Sequence, residues 1–212
     1  NVDTIEGIAS ILEGTPYAKI LRENSAQAES LKNLFPFEIA LDRYFYRQLY
    51  EKASALDSRD FEIVKRMLGV EIDMENISWL VRFRDFYKMP MEQALANMIP
   101  YGHHLDRSAL EEAFSSGDST EILRNLISKK YGALSSMLAV KSSDDQAKLV
   151  LLGRLLDQII LYEVKKIKSG YPFTIGIVMA YFVLKKNELR KVMTILNAKY
   201  YNIEEERIKS VL

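Results

Sequence analysis

The chain contains no cysteine. That excludes disulfides, thiolate metal sites and a cysteine nucleophile, and it fits an intracellular protein. Glycine and proline are scarce, at 9 and 5 in 212 residues, and strand-like alternation bounded by turns is nearly missing. Neither sign of charge dominates. Lys+Arg and Asp+Glu are both 29, so the broad basic field needed for non-specific nucleic-acid binding is not there. The longest apolar run, "FTIGIVMAYFVL" at 173–184, is too short to span a bilayer and is expected to be a buried core helix. The opening "NVDTIEGIASILEG" is acidic and amphipathic, unlike a signal peptide. A chain that starts without Met is expected to be a piece of something longer.

What is present reads as a globular helical protein. Apolar residues make up 48% and charged residues 27%, in the range of folded domains. The length allows one large domain or two small ones with a real core. Apolar residues recur at three and four, as in Leu189, Val192, Met193 and Leu196, so the fold class is all-α. The spacing predicts helices over about 4–13, 25–34, 36–56, 58–88, 91–98, 107–115, 119–130, 133–139, 145–168, 173–200 and 203–212. Asp3 or Thr4 is the expected first cap, Gly14 and Pro16 the first stop, and Gly69 a point of bending. "KSSDD" is the most linker-like stretch.

The chain reads as internally repeated. Ile8, Leu12 and Tyr17 correspond to Ile122, Leu126 and Tyr131 at an offset of 114. Leu41-Asp42 matches Leu156-Asp157, Ile77, Leu80 and Phe83 match Leu189, Val192 and Ile195, and Leu95 and Met98 match Ile208 and Val211. A period above 100 is far longer than a solenoid unit of roughly 20–50 residues, so each unit would be a small helical bundle.

Signs of chemistry are few. "GHHLD" offers His103, His104 and Asp106, but these are the only histidines and no H-E-x-x-H pattern exists, so a solvated loop pair is the favoured reading. Glu111-Glu112 and the triple Glu at 204–206 lack an apolar setting that would raise a pKa. The triple Glu suits a helix start, where negative charge meets the dipole. There is no P-loop, G-x-G-x-x-G or G-x-S-x-G. The 12 tyrosines are read as core first, protein interface second and base-stacking platform last. No catalytic, cofactor-binding or metal residue is expected.

One helix mixes polar and apolar groups. In "EIDMENISWLVRFRDFYKMP", 71–90, positions 73, 77, 80 and 84 share a stripe. Asp73 and Arg84 lie about 16 Å apart along it, too far to pair. Each is expected to find a partner on another helix or to reach water, because buried polar groups are costly unless hydrogen-bonded. Such a stripe suits a helix gripped on several sides, with polar clasps fixing its register. In the repeat, Asp73 is replaced by Lys185 and Arg84 by Leu196. Asp73, Asn76 and Arg84 are therefore assigned to clasps local to one unit or to a partner surface, ahead of catalysis.

These residues resemble a known family. Ile72, Asp73, Asn76, Ile77 and Arg84, followed by Ile99, Pro100 and Gly102, are similar to the I-D-x-x-N-I, apolar-x-R and I-P-x-G elements of one component of the V-type (archaeal and bacterial A-type) ATP synthase, its C subunit. That component is the counterpart of the d subunit of the vacuolar ATPase. Phe86 stands where the family often has Lys, and Tyr101 where it often has Gly. The stretch from Asn187, Glu188 and Leu189 to Lys199 resembles the closing K-E-x-E-I and G-K elements, with Ala198 in place of the glycine. "TPYAKIL" and "KKYGAL" resemble a T-x-Y-G-x-x-L element seen twice.

The resemblance implies a non-catalytic subunit built of three pseudo-symmetric helical repeats forming a funnel. The units would be 1–24 (end of a first repeat), 25–139 (second) and 140–212 (third, truncated). It implies a socket between the central shaft subunits of a rotary ATPase and the membrane proteolipid ring. That socket would serve ion transport with ATP synthesis or hydrolysis, peripherally at the cytoplasmic face. No cofactor, nucleic acid or small-molecule substrate is implied. An unrelated all-α adaptor, or an all-α enzyme using Asp73, Arg84 or the histidines, are the competing readings.

Overall fold

A computed structural model describes residues 3–115, 145–206 and 208, side chains of 86 and 145–156 aside. Every regular element among them is helical: α1 (Ile5–Ile11), α2 (Pro16–Leu31), α3 (Phe35–Ala53), α4 (Ser58–Val81), a π-helical turn (Arg82–Phe86), α5 (Met91–Ala96), α6 (Arg107–Ser115), α7 (Asp145–Lys168) and α8 (Ile175–Tyr200). The expected helices at 119–130 and 133–139, the "KSSDD" linker and the repeat positions Ile122, Leu126 and Tyr131 lie outside the described residues, as do Arg207 and 209–212 of the last expected helix.

Local chemistry sets most boundaries. The Thr4 hydroxyl accepts from Gly7 N at 3.1 Å and caps α1. Helix α2 begins at Pro16, not near 25. Proline suits the first turn, where its missing N–H costs nothing, and Thr15 before it is extended at φ −106°. Gly14, at φ +82°, makes the turn between α1 and α2. Three helical segments end with a non-glycine residue in the left-handed region. Lys32 ends α2, Asn202 follows α8 and Lys88 follows the π-helical turn, at φ 51°, 53° and 49°. In the second case Ile203 N reaches Ala198 O at 2.8 Å and Asn202 N reaches Lys199 O at 3.1 Å, the paired bonds of a Schellman end.

The chain divides into two compact units, Asn1–Leu56 with Leu68–Leu126, and Asp57–Met67 with Ile127–Leu212. Helix α4 thus gives its first residues to one unit and the rest to the other. In the first unit α1 packs on α2, α2 on α3, and α5 on both α6 and the π-helical turn. Arg22 holds α1 to α2 through Glu6 at 3.1 Å and Glu13 at 2.6 Å. The core of this unit is the second half of α4. Val70, Ile72, Ile77, Leu80 and Phe83 are at most 1% exposed. Phe83 meets Phe35 edge-on at 5.2 Å, and Trp79 at 5.8 Å.

The second unit is built on α7 and α8, which pack together. Met67, Val164 and Ala180 form its buried cluster, flanked by Ile167, Met179 and Val183. Glu163 is buried there and is held by Arg66 at 2.7 Å and Lys166 at 3.1 Å. The expected boundaries of α7 and α8 agree with the structure to within two residues, but the expectation for 173–184 does not. Phe173, Tyr181 and Phe182 are 81%, 62% and 66% exposed; only one side of α8 meets α7. The repeat is not established by packing either. Ile77 and Leu80 are buried, while their counterparts Leu189 and Val192 are exposed.

The first amide of α8 is capped from a distance. Thr174 makes no side-chain cap; Ile175 N instead donates to Asp60 Oδ1 at 3.0 Å. Asp60→Ala is expected to cost about 1 kcal/mol, as loss of a helix cap does, and Asp60→Asn less, since its amide oxygen still accepts. Thermal unfolding followed by helical circular dichroism checks the order wild type, Asn, Ala.

Candidate functional site

Two polar side chains of the central helix, Asp73 and Asn76, meet the 97–106 segment between α5 and α6. Asp73 is fully buried. Its Oδ2 accepts from His104 N at 2.7 Å and its Oδ1 from Leu105 N at 3.2 Å. Asn76, one turn on and 2% exposed, brackets Ile99: Asn76 Nδ2 donates to Ile99 O at 2.9 Å and Ile99 N donates to Asn76 Oδ1 at 2.8 Å. The expected partner on another helix is therefore replaced by the backbone of a loop. The physical reason is that a loop laid over a buried helix carries unpaired amides and carbonyls, and a carboxylate and an amide three residues apart can meet them.

Two glycines let the loop come that close. His103 N donates to Gly69 O at 3.2 Å, and a Cβ on Gly69 would sit 2.9 Å from His103 Cβ. A Cβ on Gly102 would sit 2.3 Å from Asp73 Oδ1. Gly69 is thus a point of close approach, a role that differs from the bend expected of it. The next helix starts from the same loop, with Asp106 Oδ1 accepting from Ala109 N at 2.8 Å.

Arg84 lies past the end of α4. The helix does not run on to Lys88 as expected: it widens into the π-helical turn, where Tyr87 N donates to Arg82 O at 3.0 Å. Arg84 is partly buried, with Nε 3.9 Å from Asp85 Oδ1. So the structure brings Asp73 and Asn76 together on one loop.

Both carboxylate oxygens of Asp73 are taken by backbone amides, and no cluster of three or more metal-binding side chains occurs among the described residues. His103 and His104 lie ring to ring at 4.2 Å, on the loop that Asp73 holds. On the α3 side of the same unit, burial raises the Tyr46 hydroxyl pKa well above its ordinary value, with Glu71, Glu75 and Asp42 pushing the same way. That phenol stays protonated and cannot serve as a base.

Tyr101 is the one strained residue of the loop, at φ +76°, the region that favours glycine. Its ring stacks on Tyr50 at 4.0 Å and 9°. The tyrosine thus offsets its backbone cost with an aromatic contact.

Comparison with known proteins adds what the geometry does not supply. A family model described as ATP synthase (C/AC39) subunit matches residues 1–211. A protein of Methanocaldococcus jannaschii, named as the C subunit of an A-type ATP synthase, is 26% identical over 100% of this chain and 52% of its own length. Those of the same name from Pyrococcus horikoshii and Thermococcus onnurineus are 27% and 29% identical over 99% of this chain, and 55% and 54% of their own lengths. The chain therefore spans about half the length of the curated relatives it matches. No solved structure matches.

Asp73→Ala is expected to destabilise the protein by about 3 kcal/mol, because two buried amides lose charge-assisted bonds. Gly102→Ala is expected to cost about 2 kcal/mol by crowding the carboxylate. In the Asp73→Ala background the Gly102→Ala cost should fall by more than half, a coupling that a double-mutant cycle in urea reads directly. At the neighbouring position, Tyr101→Gly is expected to change stability by less than about 1 kcal/mol, since relief of strain offsets loss of the stack. Tyr101→Ala loses the stack and keeps the strain, so it should unfold at lower urea than Tyr101→Gly.

Proposed function

This chain belongs to the ATP synthase (C/AC39) subunit family, and on that premise we propose that it is a non-catalytic central-stalk subunit of a rotary V/A-type ATPase. It works as a socket that couples the rotor shaft to the membrane proteolipid ring. Its partners are the shaft subunits and the ring, and its place is peripheral, on the cytoplasmic face. The observation that carries the reading is the match over residues 1–211 on a chain whose buried acid and amide fasten backbone to backbone. A coupling element needs a fixed register under load, and charge-assisted bonds from a buried helix to a crossing loop supply one. No helix among the described residues is long and apolar enough to cross a membrane, which agrees with a peripheral position. The repeat reading belongs to the same proposal: 1–24 closes a first repeat, 25–139 is a second and 140–212 part of a third, in a three-repeat funnel. Asp73, Asn76 and Arg84 are candidates for clasps internal to the second unit or for a partner surface.

With about half the length of its relatives, the chain would close the funnel incompletely. It is expected to bind the isolated shaft subunits of a rotary A-type ATPase, more weakly than a full-length relative does by at least about tenfold, roughly 1.4 kcal/mol. Isothermal calorimetry with the purified shaft complex reads both affinities. Absence of any binding by the 212-residue chain would sink the socket reading, and equal affinity would sink the incomplete funnel.

A further inference from the structure

We propose that the turn joining α7 to α8, with the first turns of α8, docks on an anionic lipid bilayer. Residues 164–187 carry five lysines and no acidic residue. Set among them are large aromatic side chains that the fold leaves in solvent: Tyr171 and Phe173 on the turn, 58% and 81% exposed, and Tyr181 and Phe182 on α8, 62% and 66% exposed. An 81%-exposed phenylalanine beside lysines is an unusual thing to show to water alone.

The turn is pre-formed. Gly170 N donates to Ile167 O at 3.0 Å, the Thr174 hydroxyl to Tyr171 O at 3.3 Å, and Ile175 N to Asp60 Oδ1 at 3.0 Å. The Arg59 guanidinium lies over the Tyr171 ring at 5.0 Å. The aromatics are therefore held outward by bonded backbone, which lowers the entropy lost on docking.

Charge selects the partner. The acids that share this end of the unit are already engaged: Asp60 by Ile175 N, Glu163 by Arg66 and Lys166, and Glu62 by Lys65. Of the five lysines, Lys166 is tied to Glu163 and Lys185 to Glu188, while Lys165 and Lys168, both exposed, make no ion pair among the described residues. Cations flanking exposed aromatic rings match the headgroup region of a bilayer, where rings settle at the interface and lysines reach phosphate. The core of a protein interface is instead depleted of lysine. The apolar run at 173–184 suffices to lie in that interface but not to cross it. The surface is independent of the stalk reading, so either can fail alone.

Flotation of the 212-residue chain with vesicles tests this. Vesicles of phosphatidylcholine with about 30% phosphatidylglycerol, anionic enough to attract lysines, are expected to carry the protein, and pure phosphatidylcholine to carry much less. Each lysine is worth about fivefold in partitioning, so Lys165→Glu with Lys168→Glu should weaken binding at least about 25-fold. Phe173→Ser should weaken it severalfold. Phe173→Trp adds a reporter whose emission should shift to the blue on anionic vesicles; the sole native Trp79 is buried at 4% exposure and stays silent. These are surface positions, and unchanged circular dichroism confirms folding. Failure to float with anionic vesicles, binding undiminished in the lysine variant, or an unshifted emission from the Phe173→Trp variant would each overturn the proposal. Self-association in sedimentation, abolished by Phe173→Ser, would assign the surface to a second copy and overturn it equally.

Discussion

A fully buried aspartate and a nearly buried asparagine, one turn apart on α4, take up the backbone of the 97–106 segment, and the first unit is organised around that contact. A helix buried on almost every face must be covered by something. A loop is the worst cover available, because its amides and carbonyls lose water without gaining a ladder. A buried carboxylate is equally costly alone. Put together, the two problems cancel: the amides of His104 and Leu105 satisfy Asp73, and Asn76 gives Ile99 the donor and acceptor a neighbouring strand would have given. The glycines follow from this. With the loop held at hydrogen-bond distance, no side chain fits at Gly102, and Gly69 must let His103 lie against the helix.

The second unit follows the same logic with different groups. Asp60, on the first turn of α4, caps the start of α8, and Glu163 is buried between Arg66 and Lys166. In both units these polar residues tie one element to another. A buried ion pair is weak evidence for stability in itself. Its better-attested value is to specify one arrangement against others.

The sequence is legible where a rule acts locally. The all-α class, Thr4 as one of two candidate caps and the extents of α7 and α8 follow from periodicity and capping chemistry. It is opaque where a rule needs a partner. Pro16 reads equally as a stop or a start, and only the extended Thr15 before it decides. The π-helical turn at 82–86 leaves no mark in apolar spacing, so the helix is expected to run on unbroken to Lys88. Asp73 and Asn76 stand out in the sequence as polar residues in need of partners. Asn76 meets Ile99 of the I-P-x-G element and Asp73 meets the amides of His104 and Leu105 just beyond it, and nothing in the helix itself points there. Hydropathy also cannot separate a core helix from an apolar surface. That is why 173–184, with the hydropathy of a core segment, presents Phe173, Tyr181 and Phe182 to solvent.

The same pair of positions sharpens what an internal repeat would mean. At an offset of 112, Asp73 and Asn76 fall on Lys185 and Glu188. Those two close on each other at 3.0 Å on the surface of α8, and the neighbouring carboxylate raises the Lys185 pKa. Three residues apart, opposite charges satisfy each other across one helical turn, while Asp73 and Asn76 instead meet the backbone of the loop. The exchange of Asp-x-x-Asn for Lys-x-x-Glu therefore converts a grip on a neighbouring loop into a self-contained surface pair. The apolar phase is kept, yet Leu189 and Val192 stay exposed where Ile77 and Leu80 are buried. If the two segments descend from one unit, a change at two polar positions would be enough to separate a covered helix from one whose apolar side is left for something else.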